Sequence, residues 1–390
     1  GITAIVKVPG MDNAAAYAKT GLVPSTDMAR AFAKNQPAVV IDAATGRRQQ
    51  IWTELDANAD TDADRNLEIH PARNLLEGHR YIVALRNMRT ASGALVKAPP
   101  AFRIYRDRLT STQKPVNARR AHMEDLFKRL KKAGIPRGTL WAAWDFTVSS
   151  ERSISARQLA IRDDAFKQLG DDDLSDGIVQ GTAPQFTVTS TSADGDGTKI
   201  WRKVQGTFKV PCYTTAPNCK SGGLLNYGPG RTLYSTPKQN GTQVLTATYT
   251  CRIPVDKDNP GHPVTNARAV IYGHGLLGGQ NEVGQGQITD MAYEHKTVYC
   301  ATDWYGMATG DVPSVFTILT NLSNMPKLPD GVQEGILAFQ YLGRLLAASS
   351  AQHGFASSTA FQDGGTPTAP AAGTQVNQGG GRIYYDGNSQ

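Results

Sequence analysis

Long apolar runs are missing from this 390-residue chain. None reaches the roughly 18 residues that a helix needs to cross a bilayer, so the sequence offers no transmembrane segment. A dominant charge is missing too. Forty-one Lys and Arg face 34 Asp and Glu, a net +7. The excess is spread out, with only short basic patches such as Lys128-Arg129-Leu130-Lys131-Lys132, so no nucleic-acid partner is expected. Charged residues are 19% and hydrophobic residues 40% of the chain, which excludes wholesale disorder. Glycine (39) and proline (21) are near average abundance, which excludes collagen-like and low-complexity classes. Internal repeats are absent. The first residue is Gly1, with no signal-peptide pattern after it, so a trimmed start or a removed leader is expected.

Cysteine is scarce, with four in all. Cys212 and Cys219 bracket the loop CYTTAPNC. Their spacing is wrong for paired zinc knuckles and right for a short disulfide, worth roughly 2.5 kcal/mol. Such a bridge points to an oxidising compartment. Cys251 and Cys300 each sit in a strand-like run, LTATYTCRI and TVYCATDW. They pair if those strands are neighbours and stay buried thiols if they are not; both readings stand.

At roughly 150 residues per domain the length predicts two or three domains. Residues 1–36 form an N-terminal segment. Residues 37–110 read as a small Ig-like β-sandwich, with PAVVIDAATG, GHRYIVALRNM and AFRIYRD as strands between turns. Residues 111–265 read as a connecting region of helices and strands. In it Met123, Leu126, Phe127 and Leu130 fall on one helical face, and Gly134 and Pro136 stop that helix. TLWAAWDFTV is a strand whose Trp141, Trp144 and Phe146 belong to a core rather than a sugar platform. KIWRKVQGTFKVP and QVLTATYTCRIP are further strands. From 266 to 390 strands and helices alternate: ARAVIYGHG, ITDMAYEHK, TVYCATDWYG, a long helix over Val332–Ala348, then GRIYYDG. That alternation predicts a parallel sheet with crossovers. Asp56, Asn58, Asp60, Asp62 and Asp64 alternate like a calcium loop. Arg65 and Pro71 stand where an EF-hand loop needs Gly and Glu. The stretch reads as a solvated acidic loop, and no metal site is expected.

Two glycine-rich strand ends can carry chemistry. Gly273-His274-Gly275-Leu276-Leu277-Gly278 follows a buried strand. Glycines there let the backbone turn sharply and leave amides facing a cleft, where one donor to a developing oxyanion is worth roughly 3–4 kcal/mol. Tyr385-Asp386-Gly387-Asn388-Ser389-Gln390 matches the opening positions of the G-x-S-x-G nucleophile elbow, with the second glycine position falling at 391. Asp303, after Cys300, ends a buried strand, either to shape a pocket or to cap the next segment.

With these residues the chain resembles the α/β-hydrolase lipase and esterase superfamily. More narrowly, it is similar to secreted bacterial proteins related to the bacterial virulence-factor lipases. The stretches ELDANA, EGHRYIVALRN, AWDFTV, IRDDAF, YGHGLLG, CATDWYGM and YYDGNSQ carry the likeness from about residue 37 to 390. The resemblance implies that 266–390 is the first half of an α/β-hydrolase domain, cut after its nucleophile strand. Ser389 then matches the nucleophile. The amides of Gln390 and Leu276 match the oxyanion donors, and His274 orients its loop rather than acting as base. The triad of this fold runs Ser, acid, His. All seven histidines (His70, His79, His122, His262, His274, His295 and His353) precede Ser389, so a catalytic acid and histidine are expected beyond residue 390. Three accounts of that ending compete: a longer protein, a cleaved one whose remainder is a second chain supplying the rest of the domain, or an inactive fragment. The implied function is a secreted or cell-surface serine esterase acting on an ester or lipid-like small molecule, with no cofactor. The alternative is a non-catalytic extracellular binding or structural protein on the same scaffold.

Overall fold

The computed structural model describes residues 3–194, 197–232, 235–368 and 383–389. Helices and sheets are mixed, and the chain forms two compact units, Gly1–Ile154 and Ser155–Gln390.

The first unit contains strands β1 (Ala4–Val6), β2 (Ala38–Asp42), β3 (Ile51–Leu55), β4 (Leu67–Pro71), β5 (Arg80–Arg86) and β6 (Leu140–Thr147). Its helices are α1 (Ala14–Thr20), α2 (Pro100–Arg106), α3 (Lys114–Ala118) and α4 (Arg120–Lys132). The strands make two antiparallel three-stranded sheets, ordered β1-β4-β3 and β2-β5-β6. All five residues of β2 are buried because its sheet is covered on both faces. Ala38 and Val40 join one core with Ile51, Ile69 and Trp141. Val39 and Ile41 join another with Met123, Leu126, Phe127 and Leu130 of α4. Period-2 alternation on a doubly covered strand yields this continuous apolar run. Gly134 ends α4 in the left-handed region (φ 78°). The Gly134 amide bonds Lys131 O and the Ile135 amide bonds Leu130 O, a Schellman close.

AFRIYRD, expected as a strand, is helix α2. Pro100 opens it at the first helical position, where a missing N–H costs nothing. Phe102 then sets its ring edge-on to Phe127 of α4, with centroids 5.9 Å apart. TLWAAWDFTV, expected in the connecting region, pairs as β6 with β5 in the first unit. Trp141 is 4% exposed and lies in its core.

The second unit holds α5 (Glu151–Gln168, which starts just before the boundary), β7 (Phe186–Asp194), β8 (Ile200–Pro211), β9 (Val244–Pro254), β10 (Arg268–Gly273), α6 (Gly286–Glu294), β11 (Thr297–Thr302), α7 (Val312–Thr320), α8 (Lys327–Ala347), a short hairpin β12–β13 (Gln362–Asp363, Thr366–Pro367) and β14 (Ile383–Gly387). Its main sheet runs β14-β10-β11-β9-β8-β7. β10 is parallel to both β11 and β14, as the alternation predicted, and β9 meets β11 and β8 antiparallel. Both faces are covered. Ile271, Val298 and Cys300 pack with Phe166 of α5 and Leu342 and Leu345 of α8. Val270, Tyr299 and Ala301 pack with Ile288 and Ala292 of α6.

All four cysteines are paired. Cys212–Cys219 closes its loop as expected, with Cα atoms 5.5 Å apart. Cys251 and Cys300 face each other across the β9–β11 ladder with Cα atoms 4.0 Å apart, and form the second disulfide. Among the described residues no helix is long and apolar enough to cross a membrane.

Candidate active site

The His-Gly corner and the serine turn leave the same end of two neighbouring parallel strands. β14 lies beside β10 in register, Gly273 opposite Gly387. The Asn388 amide continues the ladder to Gly273 O at 3.2 Å. The next residue, Ser389, is exposed and has φ 71°. That is a left-handed backbone conformation for a residue that bears a Cβ, which L-residues other than Gly and Asn avoid. A Cβ placed on Gly275 would stand 3.9 Å from Ser389 Cβ and 3.6 Å from Asn388 O. Ser389 therefore sits directly against the His-Gly corner. Gln390, the other expected oxyanion donor, lies outside the described residues.

The corner is held from several sides. His274 is fully buried. Its Nε2 accepts the Trp304 amide at 2.7 Å, which places the ring proton on Nδ1 for donation to Gly275 O at 2.8 Å. With both nitrogens engaged, His274 ties the turn after β10 to the turn after β11, and it has no lone pair left for a proton in transit. Glu282 accepts the Gly275 amide through Oε2 at 3.2 Å. The Leu277 amide bonds Met307 O at 2.8 Å, and the Thr309 hydroxyl bonds the carbonyls of Leu277 and Gly278. Leu277 itself is left-handed, φ 56°. Between these fixed points the Leu276 amide meets no acceptor among the described residues, and the Leu276 side chain is 65% exposed. The Ser389 hydroxyl likewise makes no hydrogen bond among the described residues.

Asp303 lines a cavity and, rather than capping the segment after it, holds one earlier in the chain. Its Oδ1 accepts the Gln280 amide at 2.8 Å. It also borders a cavity of about 680 Å³ with Lys209, Lys220, Tyr305 and Asp311, at the end of the sheet where β11 finishes. Burial pushes the Tyr305 hydroxyl up to about 12, so it stays protonated there. Neither Ser389 nor His274 lines this cavity. Glu282 and the Trp304 amide carried no sequence signal. A glutamate in a polar turn and a backbone N–H become legible only when their partners are known.

No family model matches this chain, and no curated protein and no solved structure matches it.

Proposed function

We propose that this chain carries the nucleophile and one oxyanion donor of a secreted serine esterase of the α/β-hydrolase kind, acting on ester or lipid-like substrates. The observation that carries this reading is the placement of a left-handed Ser389 beside Gly275, just past the ends of adjacent parallel strands. A nucleophile elbow needs a serine raised on a tight turn beside an oxyanion loop. Ser389 attacks the ester carbonyl and forms an acyl-enzyme. The Leu276 amide, held by the bonds on either side of it, donates to the oxyanion. The general base and its carboxylate partner come from outside these 390 residues, because His274 is committed to holding the corner. Among the described residues β14 pairs with β10 alone and carries the exposed Tyr384, which fits a further segment beside it. An exposed apolar side chain at the corner suits an acyl chain: Leu276 itself. Two disulfides, with no membrane-spanning helix among the described residues, support an extracellular location.

The test is a fluorophosphonate probe on the native protein from its source. Labelling that maps to Ser389 and disappears in Ser389→Ala supports the esterase. A protein that carries a histidine and carboxylate downstream of Ser389 and still takes no label is instead a non-catalytic scaffold.

A further inference from the structure

The first unit carries a cluster that the esterase reading does not use. In the β3–β4 ladder Glu54 stands directly opposite Glu68, and Trp52 directly opposite His70. All four side chains share the outer face of the sheet, since Ile51, Thr53, Leu67 and Ile69 fill the buried one. Like charges directly opposite each other destabilise a sheet, so the glutamate pair calls for a cation. His70 Nε2 lies 3.3 Å from an oxygen of each glutamate. That nitrogen is buried and makes no aligned hydrogen bond, although the two carboxylates are within ion-pair distance. The ring is held from two sides. It stacks on Trp52, with centroids 3.9 Å apart and planes 14° apart, and Nδ1 bonds the Thr3 hydroxyl at 3.1 Å. A ring that donates its Nδ1–H to Thr3 presents a bare lone pair at Nε2, as a metal-ligating histidine does.

We propose that His70 Nε2 and one carboxylate oxygen each from Glu54 and Glu68 bind a divalent transition-metal ion of the zinc type. Ligands about 2.1 Å from a tetrahedral ion stand about 3.4 Å apart, and the observed nitrogen-to-oxygen spacings are 3.3 Å. All three ligand atoms lie within 4.8 Å of one another. The imidazole selects against calcium and magnesium, which take oxygen ligands. The half-exposed Glu54 leaves a side open to water, so ions can enter and the remaining coordination is completed by solvent. The ion neutralises the facing glutamates and pins β3 to β4.

The full chain, stripped with chelator and dialysed, is titrated with Zn²⁺ by calorimetry and with Co²⁺ by visible absorption, at pH 7.5. One site is expected, with Co²⁺ bands of low coordination number. His70→Ala and Glu54→Gln should each weaken it by about tenfold or more while leaving the far-UV circular dichroism unchanged. Glu54 is the safer variant for folding because its side chain is half exposed. Zn²⁺ at about ten times its dissociation constant should raise the melting midpoint of the wild type by roughly 3–5 °C, and that of either variant by about a third of this or less. Equal uptake by wild type and both variants, or no uptake by the wild type, overturns the proposal and leaves His70 as a side-chain partner of two glutamates.

Discussion

Glu334 is an acid placed where a charge has no water. It lies on α8 with 1% exposure; Oε2 accepts the Tyr213 amide at 2.9 Å, and Oε1 has no partner among the described residues. Burial raises its pKa from 4.5 to about 8, against a smaller opposing effect of the Tyr213 amide. The fold thus favours the protonated acid. Its contribution to stability is complete below about 4.5 and is lost as pH rises through about 8. Urea denaturation should therefore find the wild type less stable at pH 9 than at pH 5. Glu334→Gln keeps an acceptor for Tyr213 and cannot ionise, so it should narrow that gap and be the more stable chain at pH 9. An unchanged gap would show that Glu334 is hydrated in the folded protein. The sequence did not single out Glu334, because a glutamate within an amphipathic pattern reads as a solvated position until the neighbouring loop is known to cover it.

At the scale of elements, the candidate site depends on how closely the turn after β11 approaches α8. A Cβ on Gly335 would fall 2.6 Å from Tyr305 O, 2.9 Å from Tyr305 N and 2.4 Å from Trp304 Cδ1. The same turn supplies the Trp304 amide that fixes His274. In an exposed helix Gly→Ala gains up to about 1 kcal/mol. At Gly335 the obstacle is largely backbone, so overpacking wins. Gly335→Ala should cost about 1–3 kcal/mol net, read from the urea midpoint, and should slow fluorophosphonate labelling of the native protein through the displaced corner. A stabilised variant would mean that the turn yields freely. The covered face of helix α4 was legible, because the 3.6 period of Met123, Leu126, Phe127 and Leu130 records it, while the break that separates α3 from α4 was not. Helix α2 was not, because AFRIYRD is too short for alternation and helical spacing to be told apart; Pro100 was the local cue, and Phe127 the decisive long-range one.

For the whole molecule, the two disulfides are a large share of what holds the fold. In the chain-entropy account the Cys251–Cys300 bridge, which spans 49 positions, is worth roughly 4 kcal/mol, and Cys212–Cys219, which spans 7, roughly 2.5 kcal/mol. Together these approach the whole margin of a typical domain, about 5–15 kcal/mol. Chain made in an oxidising compartment should show no titratable thiol when native and four after unfolding and reduction. Cys251→Ala/Cys300→Ala should lose more stability than Cys212→Ala/Cys219→Ala in urea. The reverse order would place the larger constraint in the short loop.

The linear sequence determined the covered strands, the long helices, the glycine corner after β10 and the short Cys212–Cys219 loop, because burial on one face or two leaves a local period and a turn needs particular residues where it occurs. It left open whether Cys251 meets Cys300. It carried no sign that Glu54, Glu68 and His70 converge, or that Glu334 is sealed. These depend on which strands lie side by side, and strand pairing is a contest among distant segments that no local period encodes. The order of β10, β11 and β14 along the chain was legible, but that β14 lies against β10 was not. Tertiary packing alone brought Ser389 beside Gly275, because that proximity exists only once two strands far apart in sequence share one ladder.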